Sequence, residues 1–181
     1  MWKELTTPVN KNGGNTLYLK LMKKYLLVLI LCFAATLTKA QSVSFTDLLS
    51  LTSMTNTQAH DFMISKGFKQ EGAQTFGGKV FDQYKIGRTP DKIEMMYVGQ
   101  GSITPNGNTQ RSVSYTTIQN SDLDNLLAQA KKSTLTLIFQ GADVNKNIFR
   151  FDNSLFRATI SIAFDKKSGG VDVSQKDNAG N

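Results

Sequence analysis

Few residues in this sequence are suited to acid–base or metal chemistry. His60 is the only histidine among the 181 residues, and Cys32 is the only cysteine. Asp61 follows His60 directly, but adjacent residues of a helix do not face each other, so the two are not an acid–base dyad. One histidine cannot form a multi-histidine metal site, and Cys32 falls in a segment that we expect to be removed. We therefore predict no metal, no cofactor and no disulfide in the mature chain.

Three short motifs are similar to nucleophile, phosphate or calcium sites, but each lacks a defining residue. Gly99–Ser102 is not a nucleophile elbow, and Phe76–Lys79 lacks the first glycine and the final Ser/Thr of a P-loop. Asp143–Asn147 has the spaced oxygen ligands that open an EF-hand loop, but Ile148 replaces the glycine and Ser154 the glutamate. We interpret all three as loops or hairpin turns, and we predict no catalytic residue.

Carboxylates remain as candidate acid–base groups. Asp82 and Glu94 are predicted on strands, whereas Asp122 and Asp124 open a predicted helix, where negative charge is favourable. A glycosidase needs two carboxyl groups that converge on one bond, and spacing alone does not indicate such a pair. We expect a protein that is not an enzyme, with a small secreted hydrolase of glycans or peptides as the alternative.

Residues 22–40 have the three parts of a secretory signal peptide. Lys23 and Lys24 precede the apolar run Tyr25–Ala35, and Ala40 is a small residue at the exit. The run is shorter than the roughly 20 apolar residues of a membrane-spanning helix. We therefore expect cleavage after Ala40, no transmembrane anchor afterwards, and a secreted or periplasmic location.

The N-terminal segment also carries much of the excess positive charge. The chain has 21 Lys+Arg against 14 Asp+Glu, and residues 1–40 contain six of the bases but one of the acids. We interpret residues 1–21 as a mis-assigned N-terminal extension, because Met22 already begins a complete signal peptide. The remaining chain is nearly balanced in charge, which argues against a nucleic-acid partner.

Residues 41–165 are predicted to form a single α+β domain. Apolar spacing predicts about three helices, near residues 45–51, 56–66 and 121–132. Alternation predicts an antiparallel sheet of about six or seven strands, covered by the helices on one face. A helix followed by three strands occurs twice, which suggests two tandem αβββ-like halves. Residues 166–181 contain two isolated valines and no large apolar residue, and are predicted to be a flexible C-terminal tail.

Alternation also predicts which residues face the core. The expected core residues are Phe62, Leu126, Leu137, Phe151, Ile160 and Ile162. Three tyrosines of the strands are also assigned to the core rather than to a ligand-stacking row: Tyr84, Tyr97 and Tyr115.

The opposite sheet face is the predicted binding surface. The strand that buries Ile160 leaves Arg157, Thr159 and Ser161 on its other side, and Arg150 and Lys85 extend the patch. Arginine guanidinium groups beside hydroxyls suit a polar or anionic partner.

A helix–loop–helix followed by an antiparallel sheet is similar in order to small secreted inhibitor domains such as β-lactamase inhibitory proteins, with no shared motif. This likeness favours a non-enzymatic binding module for a protein, a peptide or an envelope component. A structural envelope component is a further alternative.

Overall fold

The computed structural model describes residues 42–87, 89–103 and 109–176. The predicted N-terminal extension (1–21) and signal peptide (22–40) lie outside these residues. Within the part of the chain that is described, no helix is both long enough and apolar enough to cross a bilayer.

Within the described residues, three α-helices form where the apolar spacing predicts them. They are α1 (Phe45–Leu51), α2 (Asn56–Ser65) and α3 (Asn120–Lys132). The first two begin at capping boxes, in which the N-cap and N3 side chains each accept a hydrogen bond from the other residue's backbone N–H. A short 3-10 helix, Pro90–Lys92, occurs between two strands.

In the part of the chain that the structure describes, eight strands form one antiparallel sheet, and two short strands form a separate hairpin. The strands are β1 (Lys69–Phe76), β2 (Lys79–Ile86), β3 (Glu94–Gly99), β4 (Ser102–Ile103), β5 (Thr109–Gln110), β6 (Ser112–Thr117), β7 (Thr136–Ala142), β8 (Lys146–Asp152), β9 (Phe156–Ala163) and β10 (Gly169–Gln175). The order in the sheet is β1-β2-β3-β6-β10-β9-β8-β7, and β4 pairs with β5. The predicted α+β class and antiparallel sheet are confirmed, with eight strands rather than six or seven.

The strand order is the same in the two halves of the sheet. Helix α2 precedes β1, β2, β3 and β6, while α3 precedes β7, β8, β9 and β10, so each half contributes four strands rather than the predicted three. Both edge strands contain a β-bulge near their start, between Gln70 and Gly72 in β1 and between Leu137 and Phe139 in β7. The halves meet at the central pair β6–β10.

The prediction of a flexible tail over 166–181 is wrong for Gly169–Gln175, which form the central strand β10. Its two valines, Val171 and Val173, are buried at 0% and 1% exposure. The two glycines are required by close packing: a Cβ at Gly169 would lie 2.2 Å from the Ser161 carbonyl oxygen, and one at Gly170 would lie 2.8 Å from the Tyr115 carbonyl oxygen. The glycines and polar residues of this segment are therefore part of a closely packed central strand and not of a flexible tail.

The core lies between the helices and one sheet face, which we call the covered face. Its buried strand residues share one alternation phase: Tyr84, Met96, Val98, Val113, Tyr115, Phe151, Ala158, Ile160, Ile162, Val171 and Val173. The buried helix residues belong to the same core cluster: Phe45, Leu48, Leu51, Ala59, Met63, Leu123, Leu126 and Ala130. Four of the predicted core residues are buried, and Phe62 packs against the core at partial exposure. Leu137 is 39% exposed, so its assignment to the core is wrong.

The two edge strands differ in chemistry. Strand β1 is exposed along its whole length and begins Lys-Gln-Glu, whereas the matching region of β7 exposes the apolar side chains of Leu137, Ile138 and Phe139. Charged side chains on an edge strand discourage pairing with other chains, and exposed apolar ones promote it. Edge β7 is therefore the more association-prone side of the sheet.

Ending the chain after Ser168 should abolish the cooperative thermal unfolding transition. The truncation removes β10 and leaves β6 and β9 without their shared neighbour in the middle of the sheet. As a milder comparison, Val171→Ala should lower the free energy of unfolding by about 2 kcal/mol. Far-UV circular dichroism during heating measures both. A truncated chain that melts like the full one would contradict the central role of β10.

Ile138→Lys should reduce heat-induced aggregation while leaving the unfolding midpoint within a few degrees of the original. Ile138 is 57% exposed, and the bulge position in β1 already carries the charged residue Glu71. Light scattering during heating measures aggregation, and the matched control is Ile103→Lys, because Ile103 is 79% exposed in the separate β4–β5 hairpin. Equal effects of the two changes would show that edge β7 has no special role.

Candidate functional site

The candidate site lies on the sheet face opposite the helices, which we call the open face. Each strand presents alternate residues to it, and the strand pairing lines these residues up across the sheet. One such row runs Gln83, Tyr97, Ser114, Asp172, Thr159 and Arg150. The open face thus carries polar groups with a few aromatic rings, which is the composition of a surface that contacts water or a ligand.

All five predicted binding residues lie on the open face, in two places. Thr159 is the direct cross-strand partner of Arg150, and Arg157 and Ser161 lie on either side of it along β9. Lys85 is in β2, and strands β3, β6 and β10 separate it from β9. It lines a different cavity, with Lys69 and Glu71. The structure therefore brings four of the predicted residues together and places Lys85 apart from them.

The two arginines are engaged within the chain. The Arg157 Nε lies 3.6 Å from Asp152 Oδ1, and the Lys176 Nζ lies 2.7 Å from the other oxygen of that carboxylate. The Arg150 guanidinium lies 5.4 Å from the centre of the Phe139 ring, a cation–π distance. Both guanidinium groups thus have a partner within the chain, while the Arg157 side chain remains 61% exposed and its donors are accessible.

An aromatic cluster that the sequence analysis missed stands on the other side of the open face. Phe76 makes edge contacts with the rings of Phe81 and Tyr97, with both centroid distances 5.8 Å. Tyr84 and Tyr115 are buried in the core as predicted, but Tyr97 occupies the opposite phase of its strand, so its assignment to the core is wrong. The alternation of Met96 and Val98 would have revealed this.

A cavity of about 440 Å³, which we call the aromatic groove, lies between the aromatic cluster and the arginine side of the open face. Its wall is formed by Phe76, Phe81 and Tyr97. Its remaining lining is mostly small and polar or charged: Ser112, Ser114, Thr159, Ser174, Asp172 and Arg157. The groove thus offers an apolar wall beside hydroxyl donors and acceptors and one charge of each sign.

A second cavity of about 430 Å³, which we call the polar cavity, adjoins the groove at the end of the central strands. The two share Phe81, Ser112 and Ser174. The other side chains of the polar cavity include Lys79, Gln100, Ser102, Gln110, Arg111 and Gln175. No carboxylate lines it among the described residues, so its charge is positive.

The hairpin turn between β1 and β2 positions one residue of each cavity. Gly77 and Gly78 adopt φ of 54° and 77°, a left-handed backbone that glycine tolerates at little cost. This turn places Phe76 directly opposite Lys79 in the β1–β2 pair. The segment that is similar to a P-loop is thus a hairpin turn, as predicted, and Asp143–Asn145 likewise connect β7 and β8.

Arg111 is a buried cation beside the polar cavity. It is 5% exposed, and its guanidinium donates to the Met54 carbonyl and, over 2.9 Å, to Asn56 Oδ1. Burial lowers the pKa of Arg111, and the charge of Asp82 opposes that shift. Within the described residues, the Arg111 Nε and the Gln175 Oε1 are buried without a hydrogen-bond partner.

Glu94 and Asp122, two of the carboxylates considered for acid–base chemistry, lie on the covered side. Glu94 accepts hydrogen bonds from the Ser42 hydroxyl and, over 2.8 Å, from the Tyr115 hydroxyl. Burial and the charge of Glu94 raise the pKa of Asp122, and burial together with Glu94 raises that of Tyr115. Neither carboxylate lines the aromatic groove or the polar cavity. His60 is also remote from them, with its Nδ1 3.3 Å from the Tyr84 hydroxyl.

Lys176→Ala should raise the pKa of Asp152 toward its ordinary value. The hydrogen bond from Lys176 is the main cause that holds the pKa of Asp152 below that value, and Arg157 adds a smaller contribution. Arg157→Ala should therefore raise the same pKa less. An NMR titration of the Asp152 carboxyl carbon measures both changes. If the Arg157 change had the larger effect, the carboxylate would be held by the open-face arginine instead.

Comparison of the chain with protein-family models, with curated proteins and with solved structures found no match.

Proposed function

We propose that this chain is a secreted or periplasmic binding module, not an enzyme, and that it binds its ligand in the aromatic groove of the open face. The observation that supports this most is the pairing of an apolar ring wall with a polar floor in one cavity of about 440 Å³. Ligand sites are typically concave, with apolar surface and a few oriented polar groups. The proposed partner is a protein, peptide or envelope component.

The fold supports this role because the residues that form the core and the residues that could contact a ligand lie on opposite faces of the sheet. The helices and the covered face supply the core, so side chains of the open face are not needed for packing. The aromatic rings are instead partly exposed, with Phe76 at 51%. Exposed aromatic rings that converge on one cavity are a typical anchor for a partner.

Phe76→Ala should weaken ligand binding on the order of tenfold, as expected for loss of an aromatic anchor. The probes are a panel of oligosaccharides and short peptides, each titrated into isotope-labelled protein. Backbone NMR shifts should change around Ser112, Ser114 and Ser174. The matched control is Phe164→Ala, because Phe164 is also 51% exposed but lies outside the groove.

Two results would contradict this proposal. Shift changes that cluster around Glu94 and Asp122, with breakdown of the probe during the titration, would favour the hydrolase alternative. Equal weakening by Phe76→Ala and Phe164→Ala would show that the aromatic groove is not the binding site.

A further inference from the structure

The aromatic groove lies over the middle of the sheet, which restricts the kind of ligand that it can hold. Its floor is formed by β3, β6, β10 and β9, and each of these strands has a hydrogen-bonded neighbour on both sides. Their backbone N–H and C=O groups are therefore used within the sheet. An extended peptide is usually recognised by adding a strand to a free edge, where its main chain finds partners. A ligand in this groove must be recognised by side chains instead.

The side chains of the groove match the chemistry of a sugar. The hydroxyls of Ser112, Ser114 and Ser174 each donate and accept, as sugar hydroxyls do. Asp172 adds an acceptor and Arg157 a set of donors. The rings of Phe76, Phe81 and Tyr97 offer apolar surface for the C–H face of a pyranose.

The positive charge of the adjoining polar cavity favours a ligand that carries a negative charge. Lys79 and Arg111 line it without a carboxylate among the described residues, and Arg111 is 95% removed from solvent. A buried cation is costly unless an anion or several hydrogen bonds compensate it. The Arg111 Nε donor and the Gln175 Oε1 acceptor are both buried without a partner in the described chain. Two hydrogen bonds and the charge of Asp82 compensate Arg111 in part, and a carboxylate on the ligand would add an acceptor for its Nε and a counter-charge for Lys79.

We propose that the two cavities together bind an acidic glycan, a short run of uronic acid units. This inference rests on the proposed function and names the ligand of the same site. One pyranose ring lies against Phe81 and Tyr97 over the serine floor. A carboxylate of the glycan reaches Lys79 and Arg111 in the polar cavity, which shares Phe81, Ser112 and Ser174 with the groove.

The test compares trigalacturonate with its fully methyl-esterified form, which has the same rings but no charge. Calorimetric titration of residues 41–181 should show the acid form binding at least about tenfold more tightly, as a charge-assisted contact predicts. The difference should shrink as salt concentration rises.

Lys79→Gln should weaken binding of the acid form about tenfold and leave binding of the ester unchanged. Lys79 is exposed at the start of β2, so this change is compatible with folding. The matched control is Lys146→Gln, because Lys146, although partly buried, also begins its strand directly after a hairpin turn and lies at the far end of the other half. Arg111→Gln is the second variant and is interpreted only if its melting curve remains cooperative, since Arg111 also fixes the loop at Met54.

Different binding results would contradict the acidic-glycan ligand and the proposed binding function. Equal binding of acid and ester, or equal effects of Lys79→Gln and Lys146→Gln, would overturn the acidic ligand but keep a glycan-binding groove. Binding of peptides but of neither glycan, with sensitivity to Phe76→Ala, would overturn the glycan inference and leave the binding module standing. No shift change in the groove with any probe would overturn both.

Discussion

The pairing of β6 with β10 is the interaction on which the rest of the structure depends. It joins the two four-strand halves into one sheet and so creates both faces at once. On the covered face it places Val113 opposite Val173 and Tyr115 opposite Val171, at the centre of the core. On the open face the same ladder places Ser112 opposite Ser174, in the floor shared by the two cavities. Core and candidate site therefore form through the same strand pairing.

The sequence predicted the elements better than their arrangement. Helix spacing and strand alternation depend on neighbouring residues, so α1, α2 and α3 and most strands were found. The central strand was missed because Gly169 and Gly170 are typical of a loose segment, whereas here they allow close approach of neighbouring backbones. That requirement arises only after distant segments pair. Leu137 does face the covered side, opposite Phe151, but it lies on an edge strand with β8 as its single neighbour and so remains 39% exposed.

The candidate site was predictable in part. Alternation put Arg150, Arg157, Thr159 and Ser161 on the open face without knowledge of the fold. It could not show that Lys85 lies several strands away, because strand order is a long-range property. The aromatic groove also joins residues from β1, β2 and β3 with residues from β6, β9 and β10. A pattern of neighbouring residues in the sequence cannot predict that side chains from six separate strands meet in one groove.

The β4–β5 hairpin accounts for the position of Arg111, the buried cation beside the polar cavity. It is inserted between β3 and β6, and no corresponding pair of strands occurs between β9 and β10. Gln110 at its end donates to the Gln175 carbonyl over 2.9 Å, and the next residue, Arg111, is bonded to the loop between α1 and α2. The hairpin thus connects the end of β10 to the helical layer and encloses a buried cation between them. Because residues 164–168 between β9 and β10 hold no such insertion, the two halves of the sheet differ here, and the half with the hairpin carries the buried Arg111.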